Sequence, residues 1–108
     1  MSNHKPGAAA HDPHECLDMT QVRAGVDQVD LEIVALLERR FGYMRAAARI
    51  KPNREAVRDE GRKAQVLQNV LRAAAHSQMP SALISTLWEQ LIETSIAYEL
   101  AEWDRLRT

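Results

Sequence analysis

The sequence predicts an all-α fold of three helices, the first of them long. Three observations predict it. Apolar residues recur at steps of three and four from Val22 onward. No proline falls between Pro13 and Pro52. No segment alternates with the period of two that marks a strand.

The first helix starts at Asp18 or Thr20, either of which suits an N-cap. Its apolar face is Val22, Val26, Val29, Ile33, Leu36 and Leu37, continued by Met44, Ala47 and Ile50, and Pro52-Asn53 closes it. About 30 residues at 1.5 Å each span about 45 Å. That is too long for a compact globule of 108 residues, so an elongated bundle with a second chain alongside is expected. A second helix fits residues 58 to 77, with Ala64, Leu67, Val70, Leu71 and Ala74 inward and Gly61 weakening its first turn. The segment HSQMPS breaks it. Ser81 is the expected cap of a third helix running to about Arg105, with Ile84, Leu87, Trp88, Leu91, Ile92 and Trp103 inward.

Residues 1 to 17 carry Pro6, Gly7 and Pro13 and read as a flexible tail ahead of one helical domain, 18 to 108. His4, His11, His14 and Cys16 lie there, but their spacing matches no zinc pattern, and no metal is expected. A net charge of −1, from 14 basic and 15 acidic residues, gives no global pull towards nucleic acid or an anionic membrane. No stretch approaches the ~20 apolar residues of a membrane span. The first twenty residues lack the apolar core of a signal peptide, and Cys16 alone allows no intrachain disulfide. The chain reads as soluble and cytoplasmic. A domain this small gains from oligomerisation.

The local charge pattern is more informative. ERRFGYMRAAARIK, residues 38 to 51, holds five cations and one acid. Followed along its stripe, the first helix presents positions 33, 37, 40, 44, 47 and 51 on one face, so Arg40 and Lys51 interrupt an apolar surface. Arg45 and Arg49 are expected on the solvated side, and Arg39 flanks the stripe. The third helix repeats the anomaly with Ser95 and Glu99, one turn apart on its inner face. An unpaired buried charge is costly. These groups therefore form either an internal salt-bridge cluster or a pocket for a small anion, with Arg as a bidentate clamp and Lys as a point charge. Arg62 adds a cation that Glu99 alone does not neutralise. Arg23 lies 17 residues before Arg40, about 25 Å along the axis. If it is functional, it serves a site built mainly by another subunit.

VRAGVDQVDLEIVALLERR, AVRDEGRKAQVL and LIETSIAYEL, in this order, resemble the three helix signatures of the small all-helical chorismate mutases and of their relatives, the isochorismate pyruvate lyases. The likeness covers about residues 20 to 105. It implies an intertwined homodimer with two equivalent sites and no cofactor. It implies that Arg23 reaches across from the partner subunit to a substrate carboxylate and that Arg40 binds the other carboxylate. Lys51 and Glu99 would face the ether oxygen, Asp59 and Arg62 would hold second-helix positions, and Ser95 would line the site. The implied reaction turns the dianion chorismate into prephenate, in the shikimate pathway of aromatic amino acid biosynthesis. The alternatives are an isochorismate pyruvate lyase, giving salicylate and pyruvate, and a non-catalytic helical dimer module. Lys63 stands where mutases commonly have a glutamate that contacts the substrate hydroxyl, and Glu99 where bacterial members commonly have glutamine. RRFGYMRAAARIK resembles the lyase branch. Ser95 and Asp59 resemble the mutase branch, which the reading favours. An ionised carboxylate accepts hydrogen bonds and donates none, so the implied role of Glu99 requires its protonated form.

Overall fold

The computed structural model describes residues 11 to 108. Among them are three α-helices and no strand: α1 Met19–Ile50, α2 Glu60–Ala74 and α3 Ser81–Leu106. Short 3-10 turns lie at Pro13–Glu15 and Arg54–Ala56. His4 and the rest of the first ten residues lie outside the described part. The chain divides into two units, one ending at Arg40 and one from Phe41 to Thr108.

In the first unit, α1 begins with an exchange of side-chain bonds. Asp18 Oδ1 accepts from the Gln21 backbone N–H at 2.9 Å, and Gln21 Oε1 accepts from the Leu17 N–H at 2.7 Å. This satisfies donors that the first helical turn leaves over and selects Asp18, not Thr20, as the cap. The predicted apolar face is formed but largely uncovered: Val22, Val26, Val29, Ile33, Leu36 and Leu37 are all exposed. A cavity of about 650 Å³ lies within residues 11 to 32, walled by Cys16, Val22, Val26 and Val29 with His11 and Asp12.

In the second unit, the buried apolar residues are Ala48, Val57, Ala74, Ile84 and Ile92. Phe41 meets Tyr98 edge to face, with ring centroids 5.0 Å apart. The Lys51 N–H still donates to the Ala47 carbonyl at 2.9 Å, and Pro52 then stops the helix because it has no N–H to give. Lys51, one turn after Ala47, takes the inward position. Ile50, expected there, is 73% exposed.

The second helix is shorter than the predicted 58 to 77. Asp59 Oδ1 accepts from the Arg62 N–H at 3.0 Å, so Asp59 is the N-cap and Arg58 lies outside. At the other end, the Ser77 N–H and hydroxyl both donate to the Ala74 carbonyl, closing the chain into a turn. Helix α3 starts at Ser81 itself; Pro80 is the N-cap and offers no side-chain bond, which corrects the expected Ser81 cap. Ile84 and Ile92 are buried as predicted, whereas Leu87 is 49% exposed. Along α2 the predicted inner positions Ala64 and Leu71 are likewise exposed.

Helices α2 and α3 are joined by ion pairs at their edge. Lys63 Nζ lies 2.7 Å from Glu89 and 2.8 Å from Glu93, and Arg58 lies 2.7 Å from Glu93 and 2.9 Å from Glu60. Hydrogen bonds from Arg58 and then Lys63 lower the Glu93 pKa from 4.5 to about 2. The group is partly exposed, so solvent screens the pairs and each contributes modestly.

Because Glu93 titrates lower in the folded chain than in the unfolded one, its pairs stabilise the fold fully above about pH 4.5, and this contribution disappears as pH falls through about 2. Melting curves of the wild type and Glu93→Gln are therefore expected to differ at pH 6 and converge towards pH 2. A gap that stays constant over that range would assign the loss to packing instead.

Candidate functional site

The end of α1 and the inner face of α3 meet in the second unit. Ser95 and Glu99 are 3% and 4% exposed, the two buried polar residues among those described. They lie four residues apart, on the same face as Ile84 and Ile92. Lys51 Nζ stands 2.8 Å from Glu99 Oε2, an ion-pair distance. Yet Glu99 Oε2 accepts no hydrogen bond of acceptable angle among the described residues. The carboxylate is thus desolvated and next to a cation, with a lone pair that no donor addresses.

The Lys51 ammonium also donates to the Val57 carbonyl, at 3.4 Å. Lys51 is itself held by its backbone. The Trp103 Nε1–H donates to the Lys51 carbonyl at 3.1 Å, and Arg107 Nη2 donates to the same carbonyl at 3.2 Å. The loop that follows is held too: Asn53 Oδ1 accepts from the Ala56 N–H at 3.0 Å, and Arg54 pairs with Asp104 through two bonds of 2.9 and 3.3 Å. Hydrogen bonding to Asp104 raises the Arg54 pKa.

The predicted site residues fare differently. Lys51 and Glu99 are brought together as the stripe argument expects. The Ser95 hydroxyl lies beside them in register and donates to the Leu91 carbonyl at 2.7 Å. Asp59 is an exposed helix cap. Arg62 is exposed, with Nη1 on Gln65 Oε1 at 2.7 Å. Arg23 and Arg40 belong to the first unit, where Arg23 is exposed and Arg40 is half-buried. Lys63 is tied to Glu89 and Glu93, which raise its pKa, so its charge is already matched.

Arg45 corrects its reading as a solvated cation. It is half-buried, and its Nη1 donates to the Tyr98 hydroxyl at 3.0 Å. Arg39 and Arg49 are exposed. The sequence reading missed Val57, Trp103 and Arg107 as groups around Lys51. A signal did exist. A helix stopped by proline leaves its last carbonyls without donors, and Trp103 and Arg107, four residues apart, offer donors on one face. As for metals, Asp12, His14 and Glu15 lie within 4.8 Å of one another, all exposed, which is an ordinary surface arrangement of acidic and imidazole groups. No helix among the described residues is long and apolar enough to cross a membrane.

The chain is 30% identical over 95 residues to an isochorismate pyruvate lyase of Pseudomonas aeruginosa, an alignment covering 88% of this chain and 94% of the relative. Residues 22–100 match the chorismate mutase type II family. That match takes in most of the chain, including Lys51, Ser95 and Glu99, and the chain accordingly belongs to the chorismate mutase type II family.

Proposed function

We propose that the protein rearranges chorismate to prephenate without a cofactor. The observation that carries this reading is the desolvated Glu99 carboxyl facing the Lys51 ammonium on two inward helix faces. The rearrangement is intramolecular. The C–O bond of the enolpyruvyl ether breaks as the methylene carbon bonds to the ring, and no proton changes place. The protein therefore supplies position and charge. Holding the folded conformer removes freedom that the free substrate keeps. Donors fixed at the ether oxygen act most strongly where negative charge develops, in the transition state. In this reading Lys51 gives one such donor and protonated Glu99 the second. Arg40 grips one carboxylate, Arg23 of a second subunit grips the other, and Ser95 lines the pocket. Asp59 and Arg62 support it from the start of α2, the former through its cap. The catalytic domain spans 18–108.

A second reading, elimination of pyruvate from isochorismate, is favoured by the likeness to the isochorismate pyruvate lyase of Pseudomonas aeruginosa. It needs the same ether donors, with a ring hydrogen moving to the enolpyruvyl methylene as the C–O bond breaks. Chorismate and isochorismate, offered separately to the purified protein, distinguish the readings. Prephenate from chorismate is expected. Salicylate with pyruvate from isochorismate, and little prephenate, would move the protein to the lyase reaction, and no product from either would leave the helical dimer module.

The exposed stripe Val22, Val26, Val29, Ile33 and Leu37 supports an intertwined homodimer, because a continuous apolar helix face in water calls for a cover. Ile33→Glu is expected to yield single chains by light scattering, where the wild type has twice the mass. Activity should fall with the dimer, since Arg23 then has no site to reach.

If protonated Glu99 donates a hydrogen bond to the ether oxygen, turnover rises towards acidic pH, and Glu99→Gln, a permanent donor, flattens the profile. An unchanged pH profile in that variant, with a lowered melting temperature, would reduce Glu99 to a counter-charge for Lys51.

A further inference from the structure

Lys51 is the last residue before Pro52, where a side chain is poorly fixed by its own helix. After the Ala47 carbonyl, which the Lys51 N–H still serves, the carbonyls at the end of α1 have no helical N–H to bond, since residue 52 is proline and the chain then turns away. Without other partners this turn would fray, and the ammonium with it. The structure supplies partners from the far end of α3. The Trp103 Nε1–H and Arg107 Nη2 both reach the Lys51 carbonyl, and Arg107 Nη2 also approaches the Arg49 carbonyl at a longer 3.4 Å. The Arg107 guanidinium stacks over the Trp103 ring, 4.1 Å from its centre, and Arg107 Nη1 donates to the Trp103 carbonyl at 3.2 Å. The two side chains thus brace each other. The cation also stands at the negative end of the α1 dipole, where it is favoured. Neither residue contacts the ammonium itself. They act on its backbone.

We propose that Trp103 and Arg107 are positioning residues, a C-terminal clamp that fixes the backbone of Lys51 and so aims its ammonium into the pocket. The proposal rests on the reading of Lys51 as a donor to the substrate ether oxygen. It assigns these residues a role that stability alone does not require. The clamp closes on the Lys51 carbonyl, with a longer approach to that of Arg49, whereas the buried apolar residues of α3 are Ile84 and Ile92.

The test uses the full chain with Arg107→Ala, Arg107→Lys and Trp103→Phe, in wild-type and Lys51→Met backgrounds. In the wild-type background, Arg107→Ala is expected to lower kcat about tenfold, in keeping with the sensitivity of catalysis to small misplacements. KM and melting temperature should change little, and Arg107→Lys should restore part of the loss. Trp103→Phe keeps the ring and removes the donor, and should behave like Arg107→Ala. In the Lys51→Met background the same changes should cost nothing further. Equal losses in both backgrounds would overturn the clamp, because they would mean general destabilisation. So would wild-type turnover in Arg107→Ala. A second readout does not depend on activity: the nitrogen-15 signal of the Lys51 ammonium, identified by its absence in Lys51→Met. It should broaden or shift in Arg107→Ala. An inactive wild type whose Lys51 signal responds would refute the proposed reaction and keep the clamp. An active wild type whose signal and rate ignore Arg107 would do the reverse.

Discussion

A carboxylate removed from water beside a single ammonium is the constraint around which the second unit is organised. Glu99 is 4% exposed, and burying it costs free energy that only a close opposite charge offsets. Lys51 provides that charge at 2.8 Å. This demands that α1 end where it does, that Lys51, the residue just past its end, face α3, and that the loop after it fold back far enough for the Val57 carbonyl to reach the ammonium. Proline at 52, the Asn53 side chain in the turn and the Arg54–Asp104 pair all serve that geometry. The arrangement remains incomplete, with Glu99 Oε2 lacking a directed donor.

Charge distribution also separates structural from functional cations. Arg58 and Lys63 are matched by Glu60, Glu89 and Glu93 along the α2–α3 edge. Lys63, at the position where mutases commonly carry a glutamate, therefore enters the fold as a bridge and not as an extra positive charge for a dianion. In the proposed reading, the chemistry common to both family reactions, cleavage of an enolpyruvyl ether, uses the Lys51 and Glu99 side of the site, which Lys63 leaves intact.

Much of this was legible in the sequence, for identifiable reasons. Lys51 and Glu99 could be paired because each broke an apolar stripe of period 3.6, and a buried charge requires a partner. The stop of α1 followed from Pro52, whose effect is local, and its start lay with Asp18 or Thr20, of which the structure selects Asp18. Where the reading failed, a distant atom was the cause in one case and the neighbouring residue in another. Arg45 was placed in solvent because its own helix face is polar, but Tyr98 from α3 captures it. Ser81 looked like a cap by type, whereas Pro80 occupies that position in the chain. Asp59, which the resemblance makes a site residue, also caps α2, and the two roles are compatible. The stripe from Val22 to Leu37 was recognised correctly as apolar. Periodicity states that a face needs cover and does not state which surface provides it.

The bonds that hold Lys51 have a consequence for how the site comes into being. Their partners are separated by 52 and 56 residues along the chain. Contacts of such separation must offset the entropy of closing a large loop before they contribute anything, and folding rates fall as their share grows. The helices can form from local contacts, and α2 can pair with α3 across a short turn, while the end of α1 is still free. The ordering of the lysine thus waits on closure of a large loop, which the helices themselves do not require. A chain with full helical content by circular dichroism can still lack a finished pocket, and regain of helix and regain of ligand binding need not share one time course.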